Sequence, residues 1–160
     1  MNDTVLVFKT YDINKKIHSV KCLVRNKVEG YYYKFYDNHT ISEFGYFENG
    51  LQEGVEYSFL NKKLVRERNF KNGKLHGFFY NYFYGNGNLG SSCHYISGSK
   101  TGIEVIYFKS GRVSMKKEIK DFKSNGLTIV YNKRGKPIKY RHYDNDELIW
   151  EKTAEEYSKK

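Results

Sequence analysis

Proline, cysteine and tryptophan are nearly missing from this chain, and long apolar runs are missing altogether. One Pro among 160 residues, set against many Tyr, Phe and Val, fits strands better than long helices. The two cysteines, Cys22 and Cys93, are far apart in sequence and form no metal-ligand spacing, which points to reduced, structural thiols. No stretch approaches the roughly 20 apolar residues that a membrane-spanning helix needs. The start, Met1 to Lys9, carries no basic region ahead of its short apolar run, so a signal peptide is not expected and a cytoplasmic location is. Few aliphatics and 29% charged residues would suit a disordered chain. Disordered chains are poor in aromatics, however, and this one is 18% aromatic, with 16 Tyr and 11 Phe. An ordered, β-rich domain is the expectation.

What the chain does contain is a period. Gly30, Gly54, Gly77, Gly102 and Gly126 are separated by gaps of 24, 23, 25 and 24 residues. Each is followed five residues later by an aromatic: Phe35, Phe59, Tyr82, Tyr107 and Tyr131. A fixed interval in this range marks a repeat architecture. Residues one, three and five after each glycine are all apolar or aromatic, as in Tyr31, Tyr33 and Phe35. A period of two describes a strand with one buried face, here taken to be the face of these residues. Turn signals follow, including Asp37-Asn38-His39, Gly85-Asn86-Gly87 and Arg134-Gly135, and then a return strand with Phe47, Phe70, Tyr95, Ile119 or Tyr143. Turns such as Asn49-Gly50 and Asn72-Gly73 lead into the next unit.

Each unit is thus a β-hairpin. Residues 1–29 form a degenerate first unit, with Val5 to Phe8 as a strand, Asn14-Lys15 as a turn and Ile17 to Val24 as the return. Residues 30–147 hold five repeats. Residues 148–160 form an acidic tail of helix-compatible composition that caps the last edge. The expected fold is all-β: an elongated, twisted, single-layer antiparallel meander of five to six hairpins, ten to twelve strands, in one continuous domain. The glycines are expected at unit boundaries, where they allow the sheet to curl.

One unit runs Phe70-Lys71-Asn72-Gly73-Lys74-Leu75-His76-Gly77, with Tyr82 five residues on, and Phe47 to Gly54 with Phe59 repeats it. This pattern resembles the MORN repeat. The longer interval, with a second turn such as Lys109-Ser110-Gly111-Arg112, resembles the bacterial variant in YwqK-like, antitoxin-related proteins. Five units in register, over roughly residues 20 to 147, carry the resemblance. Asp144-Asn145-Asp146 departs from it, as does the lack of the Trp common in family units. The resemblance implies an elongated β-module that mediates protein association, in some members binds anionic phospholipid, and in bacterial relatives is labelled an antitoxin component.

No catalytic constellation is visible, and neither a cofactor nor enzymatic activity is expected. His18, His39, His76, His94 and His142 share no metal spacing. Cys93 and His94 are neighbours on a strand and face opposite ways, so they cannot act as nucleophile and base. The run Gly85 to Gly90 lacks the following helix that a phosphate loop requires. Glu56 and Glu104 occupy equivalent positions and are expected to face solvent.

Two surfaces stand out instead. Opposite the presumed core lie Tyr32, Tyr36, Phe79, Phe83 and Phe108, an unusually aromatic set for a solvated face. They are the candidate contacts for a protein partner, or for a second copy in a homodimer. The second surface is basic. The formal charge is +10, and residues 109–141 hold eleven Lys or Arg against two acids. Arg68, Arg112, Lys116, Lys117, Lys133, Arg134, Lys139 and Arg141 are the candidates for gripping a polyanion, either nucleic acid or anionic phospholipid.

Overall fold

A computed structural model describes residues 4–159. Its strands are β1 (Val5–Tyr11), β2 (Ile17–Val24), β3 (Lys27–Phe35), β4 (Ile41–Glu48), β5 (Leu51–Leu60) and β6 (Lys63–Lys71). They continue as β7 (Lys74–Tyr82), β8 (Leu89–Ile96), β9 (Ser99–Tyr107), β10 (Val113–Lys120), β11 (Lys123–Tyr131), β12 (Pro137–Asp144) and β13 (Glu147–Thr153). Strand order in the sheet is chain order, β1 to β13, so every connection is a hairpin and the fold is an open antiparallel meander. A short helix, α1 (Ala154–Tyr157), follows. No helix among the described residues is long and apolar enough to cross a membrane. The chain divides into two compact units, Met1–His76 and Gly77–Lys160.

The tail differs from expectation. Its first part, through Thr153, belongs to a thirteenth strand, because Asn145 and Asp146 (φ 48° and 73°) make one more tight turn in place of Asn-Gly. Helix is confined to α1, where Thr153 and Glu156 cap each other's backbone N–H groups. Tyr157 then stacks on Tyr140 at 4.0 Å and lies 6.0 Å from Trp150, which packs the helix against one face of β12 and β13.

Two kinds of turn alternate. At one edge, two-residue turns with both φ positive close the hairpins at Arg25-Asn26, Asn49-Gly50, Asn72-Gly73, Ser97-Gly98, Asp121-Phe122 and Asn145-Asp146. These turns also bind the preceding repeat. Gly50 N–H donates to Val28 O, Gly73 N–H to Gln52 O, Phe122 N–H to Lys100 O and Asp146 N–H to Ser124 O. At the other edge most loops are longer, and Asp12, Asn38, Asn86 and Asn132 close four of them by accepting backbone N–H groups two residues on.

The repeat glycines lie inside strands rather than in turns, four of them in bulges where three residues face one: 30–32 face Lys21, 54–56 face Gly45, 102–104 face Cys93 and 125–127 face Glu118. Gly30, Gly54, Gly102 and Gly126 all have positive φ there, between 71° and 108°. Each bulge bends its strand, and the deepest burial falls on the face opposite the one expected. Tyr32 is 7% exposed, Glu56 3% and Thr128 2%, whereas Tyr31, Phe78 and Ile103 are more than half exposed.

We call the face of Tyr32 the inner face. It packs by size complementarity across the ladder: Tyr32 faces Gly45, and Phe79 faces Cys93. A Cβ on Gly45 would stand 2.9 Å from Tyr32 Cε1. The outer face carries rings in ladders, Tyr33–Phe44–Tyr57 in the first unit and Phe78–Tyr80–Tyr82 in the second, with centroids 5.1–6.5 Å apart. Such pairs add about 0.5–1.5 kcal/mol each beyond burial.

Gly45→Ala should displace the Tyr32 ring and cost about 1–3 kcal/mol in urea denaturation. Phe122 is the opposite case, a bulky residue at φ 68° with a 61% exposed ring and one edge contact to Tyr95. Left-handed backbone costs a side-chain-bearing residue about 1–2 kcal/mol. Phe122→Gly should therefore leave the protein as stable as the parent or more so, measured by thermal melting.

Candidate functional site

Three places gather chemistry: one in the first unit, one in the second, and a repeat position that recurs in both. The first is on the inner face of the first unit. Tyr32 from β3, Glu43 from β4, Gln52 and Glu56 from β5 and Arg68 from β6 meet around a cavity of about 430 Å³. Arg68 and Glu56 face each other in the β5–β6 ladder, and their side chains form a hydrogen-bonded ion pair. Arg68 also stands 3.5 Å from Glu43. Tyr32 Oη donates to Glu56 Oε2 at 2.6 Å and lies 3.0 Å from Glu43 Oε1. Gln52 Nε2 donates to Glu56 Oε2, and Lys34 Nζ to Glu43 Oε1 at 2.6 Å.

Glu56 was expected in solvent and is instead among the most buried residues, since the bulge at 54–56 turns it inward beside Arg68. Glu104, its equivalent, is also partly buried and pairs with Lys100 at 2.6 Å. Burial pushes the Tyr32 phenol well above its ordinary range, with the Glu56 and Glu43 carboxylates adding to the effect. Tyr32 is therefore held protonated, with its one O–H directed at Glu56 and the Glu43 carboxylate beside it. The arrangement suits a clamp across four strands, with every carboxylate oxygen already engaged.

The second place is the outer face. Tyr31, Phe78 and Ile103 occupy the same position in their repeats, one residue after the glycine, and are 61%, 54% and 56% exposed. This overturns the expected aromatic patch. Tyr32 is buried, because its ring crosses Gly45. Phe79 is half-buried on the inner face at 5.8 Å from Tyr95. Phe83 and Phe108 are half-buried at loop bases, each giving its backbone N–H to loop closure, through Asn88 O and Arg112 O. Tyr36 alone of the five has an exposed ring, and its hydroxyl donates to Phe59 O.

The third place is a recess of about 610 Å³ in the second unit, lined by Arg112, Lys116, Tyr131 and Arg134. Arg112 Nη1 donates to Lys133 O at 2.9 Å, tying two successive loops together. Lys133 is exposed beside it. The other expected cations are elsewhere. Arg68 is held in the first unit by Glu56 and Glu43, and Lys139 and Arg141 both pair with Glu151 at 2.6 Å. These two cations hold the Glu151 carboxyl below its ordinary value. Lys117 lies on the inner face across from Thr128, on the opposite side of β10 from Lys116.

Among the described residues no group of His, Cys, Asp and Glu is arranged to hold a metal. Cys93 is buried, and burial raises its thiol pKa, which disfavours the reactive thiolate. His94 meets the Phe78 ring edge-on at 5.2 Å, on the other face of β8.

No protein-family model matches the chain, and a search of curated proteins gives no significant match. The resemblance to MORN repeats stands on the residue pattern alone.

The clamp should prove structural. Arg68→Ala leaves the Glu56 carboxylate buried without its cation and should cost about 3–5 kcal/mol. The double variant Glu56→Leu/Arg68→Leu should cost clearly less than that single change. Chemical denaturation of the set checks both, and equal losses in the two variants would refute a paired charge.

Proposed function

We infer that the chain is a non-catalytic binding module, and that it takes a protein partner on the outer, aromatic face of its repeats. The observation that carries this reading is the exposure of Tyr31, Phe78 and Ile103 at one repeat position. Large apolar side chains more than half exposed at three equivalent sites are not needed by the core, which lies on the other face. Aromatic residues in such a setting supply large contact area for little lost side-chain freedom, which is why they dominate the energetics of interfaces. The rings are also pre-set. Tyr31 meets Tyr46 edge-on at 5.2 Å, and Phe78 stacks with Tyr80 at 5.7 Å, so little ordering would remain to be done on association.

A non-catalytic reading agrees with the chemistry of the inner face. In the first unit the charged groups there pair with one another, and Tyr32 is tuned toward keeping its proton. The MORN-like pattern adds weight, since it implies association with other proteins. The bacterial variant of the pattern extends the proposal to an antitoxin or inhibitor-type role for the chain itself.

Affinity purification from the native host, with nuclease present, tests the reading. The parent chain should retain a stoichiometric protein that a Tyr31→Ser/Phe78→Ser variant does not. With a purified partner, each substitution at a central anchor should cost about 2 kcal/mol, or roughly 30-fold in Kd. Unchanged Kd in variants of parental stability would reject the outer face as the contact.

A further inference from the structure

The recess of Arg112, Lys116, Tyr131 and Arg134 has properties that the protein-partner reading does not use. Its cations come from three places: Arg112 from the β9–β10 loop, Lys116 from β10 and Arg134 from the β11–β12 loop. No Asp or Glu lines it. Among the described residues none of the three cations is in an ion pair, unlike Lys139 and Arg141 on the other face. Like charges gathered without a counter-ion raise the local potential and select for an anion. Arg112 is also pre-positioned, because one guanidinium nitrogen is committed to Lys133 O and its remaining donors stay available.

The ring decides what kind of anion fits. Tyr131 lies in the same wall as the cations, so an anionic group held there would bring its attached moiety against an aromatic surface. The preceding loop edge repeats the theme. Phe83, Tyr84 and Lys109 line a second recess of about 480 Å³, again without an acidic residue. Asn86 and Asn88 both donate to Lys109 O, fixing that loop to its neighbour. Equivalent loops are two strands apart, about 10 Å. Cations and rings thus alternate along one edge of the second unit, in shallow recesses rather than a closed pocket. A duplex keeps its bases stacked away from such rings, whereas a single strand can offer phosphates to the cations and unstacked bases to the rings.

We propose that this loop edge is a binding site for single-stranded nucleic acid, with Arg112, Lys116 and Arg134 on phosphates and Tyr131 stacking on a base. The site shares no residue with the outer-face positions Tyr31 and Phe78, so either assignment can fail without the other.

Fluorescence anisotropy with a labelled oligothymidylate of about ten nucleotides tests the proposal. Three phosphate contacts should give a slope of about −2 in log K against log salt, falling to about −0.7 in Lys116→Ala/Arg134→Ala. Both side chains leave the backbone hydrogen bonds alone, so that variant should keep the parental melting curve. Tyr131→Leu should weaken binding about tenfold with the slope unchanged. The charge-matched control Lys71→Ala/Lys74→Ala, in the first unit, should bind like the parent. An unchanged slope in the double variant, or an equal loss in the control, would show that net charge alone attracts the strand and would overturn the site. Retention on phosphatidylcholine–phosphatidylserine vesicles with no oligonucleotide binding would overturn it in favour of a membrane surface.

Discussion

A sheet with no second layer has to make its interior from its own backbone, and in this protein that task falls on glycines with positive φ inside strands. At Gly30, Gly54, Gly102 and Gly126 the bulge places three residues opposite one. The strand bends, and beyond Gly30, Gly54 and Gly126 the residue two further on is carried into the most enclosed position available. Tyr32, Glu56 and Thr128 are the outcome. A side chain at Gly126 would displace the Glu118 carboxylate, which accepts the Leu127 N–H in the bulge, and the positive φ there favours glycine in its own right.

Polar burial follows from the same constraint. A curled single layer encloses a narrow strip, and in the first unit a tyrosine, two carboxylates and an arginine fill it as one hydrogen-bonded set. Desolvation of Glu56 is offset by Arg68, Gln52 and Tyr32 together, which is the condition under which a buried charge is tolerable. In the second unit the corresponding positions carry different chemistry, with Phe79 beside Cys93 and Thr128 between Lys117 and Arg141 in register. Repeat positions are thus equivalent in backbone but not in chemistry.

Because the inner strip consumes so much of the polar chemistry, the surfaces left for partners are the outer rings and the loop edges. The turns at one edge are tied to the preceding repeat by backbone bonds from Gly50, Gly73, Phe122 and Asp146. Those at the other edge are tied by Tyr36, Asn86, Asn88 and Arg112. Loops bound in this way present side chains with little ordering left to lose. Arg112 and Arg134 depend on that for their placement beside the strand residues Lys116 and Tyr131.

Hairpin order, turn positions, the N-terminal hairpin and the all-β class were legible in the residues, because glycine spacing, Asn-Gly turns and alternation act locally. The cations of the third recess were also within reach, since Arg112, Lys116 and Arg134 lie in the basic segment; their separation from Lys117, Lys139 and Arg141 was not. Alternation says that a strand has two faces and cannot say which one the backbone curls around. Fifteen apolar positions on one parity made that face look like the core, yet rings such as Tyr31 and Phe78 tolerate exposure while Glu56 does not tolerate being buried alone. Its burial depended on Arg68 standing across the ladder, twelve residues away in sequence. Local chemistry determined the strands and turns; the choice of inner face, and with it every site, was made only when bulges and cross-strand partners came together in space.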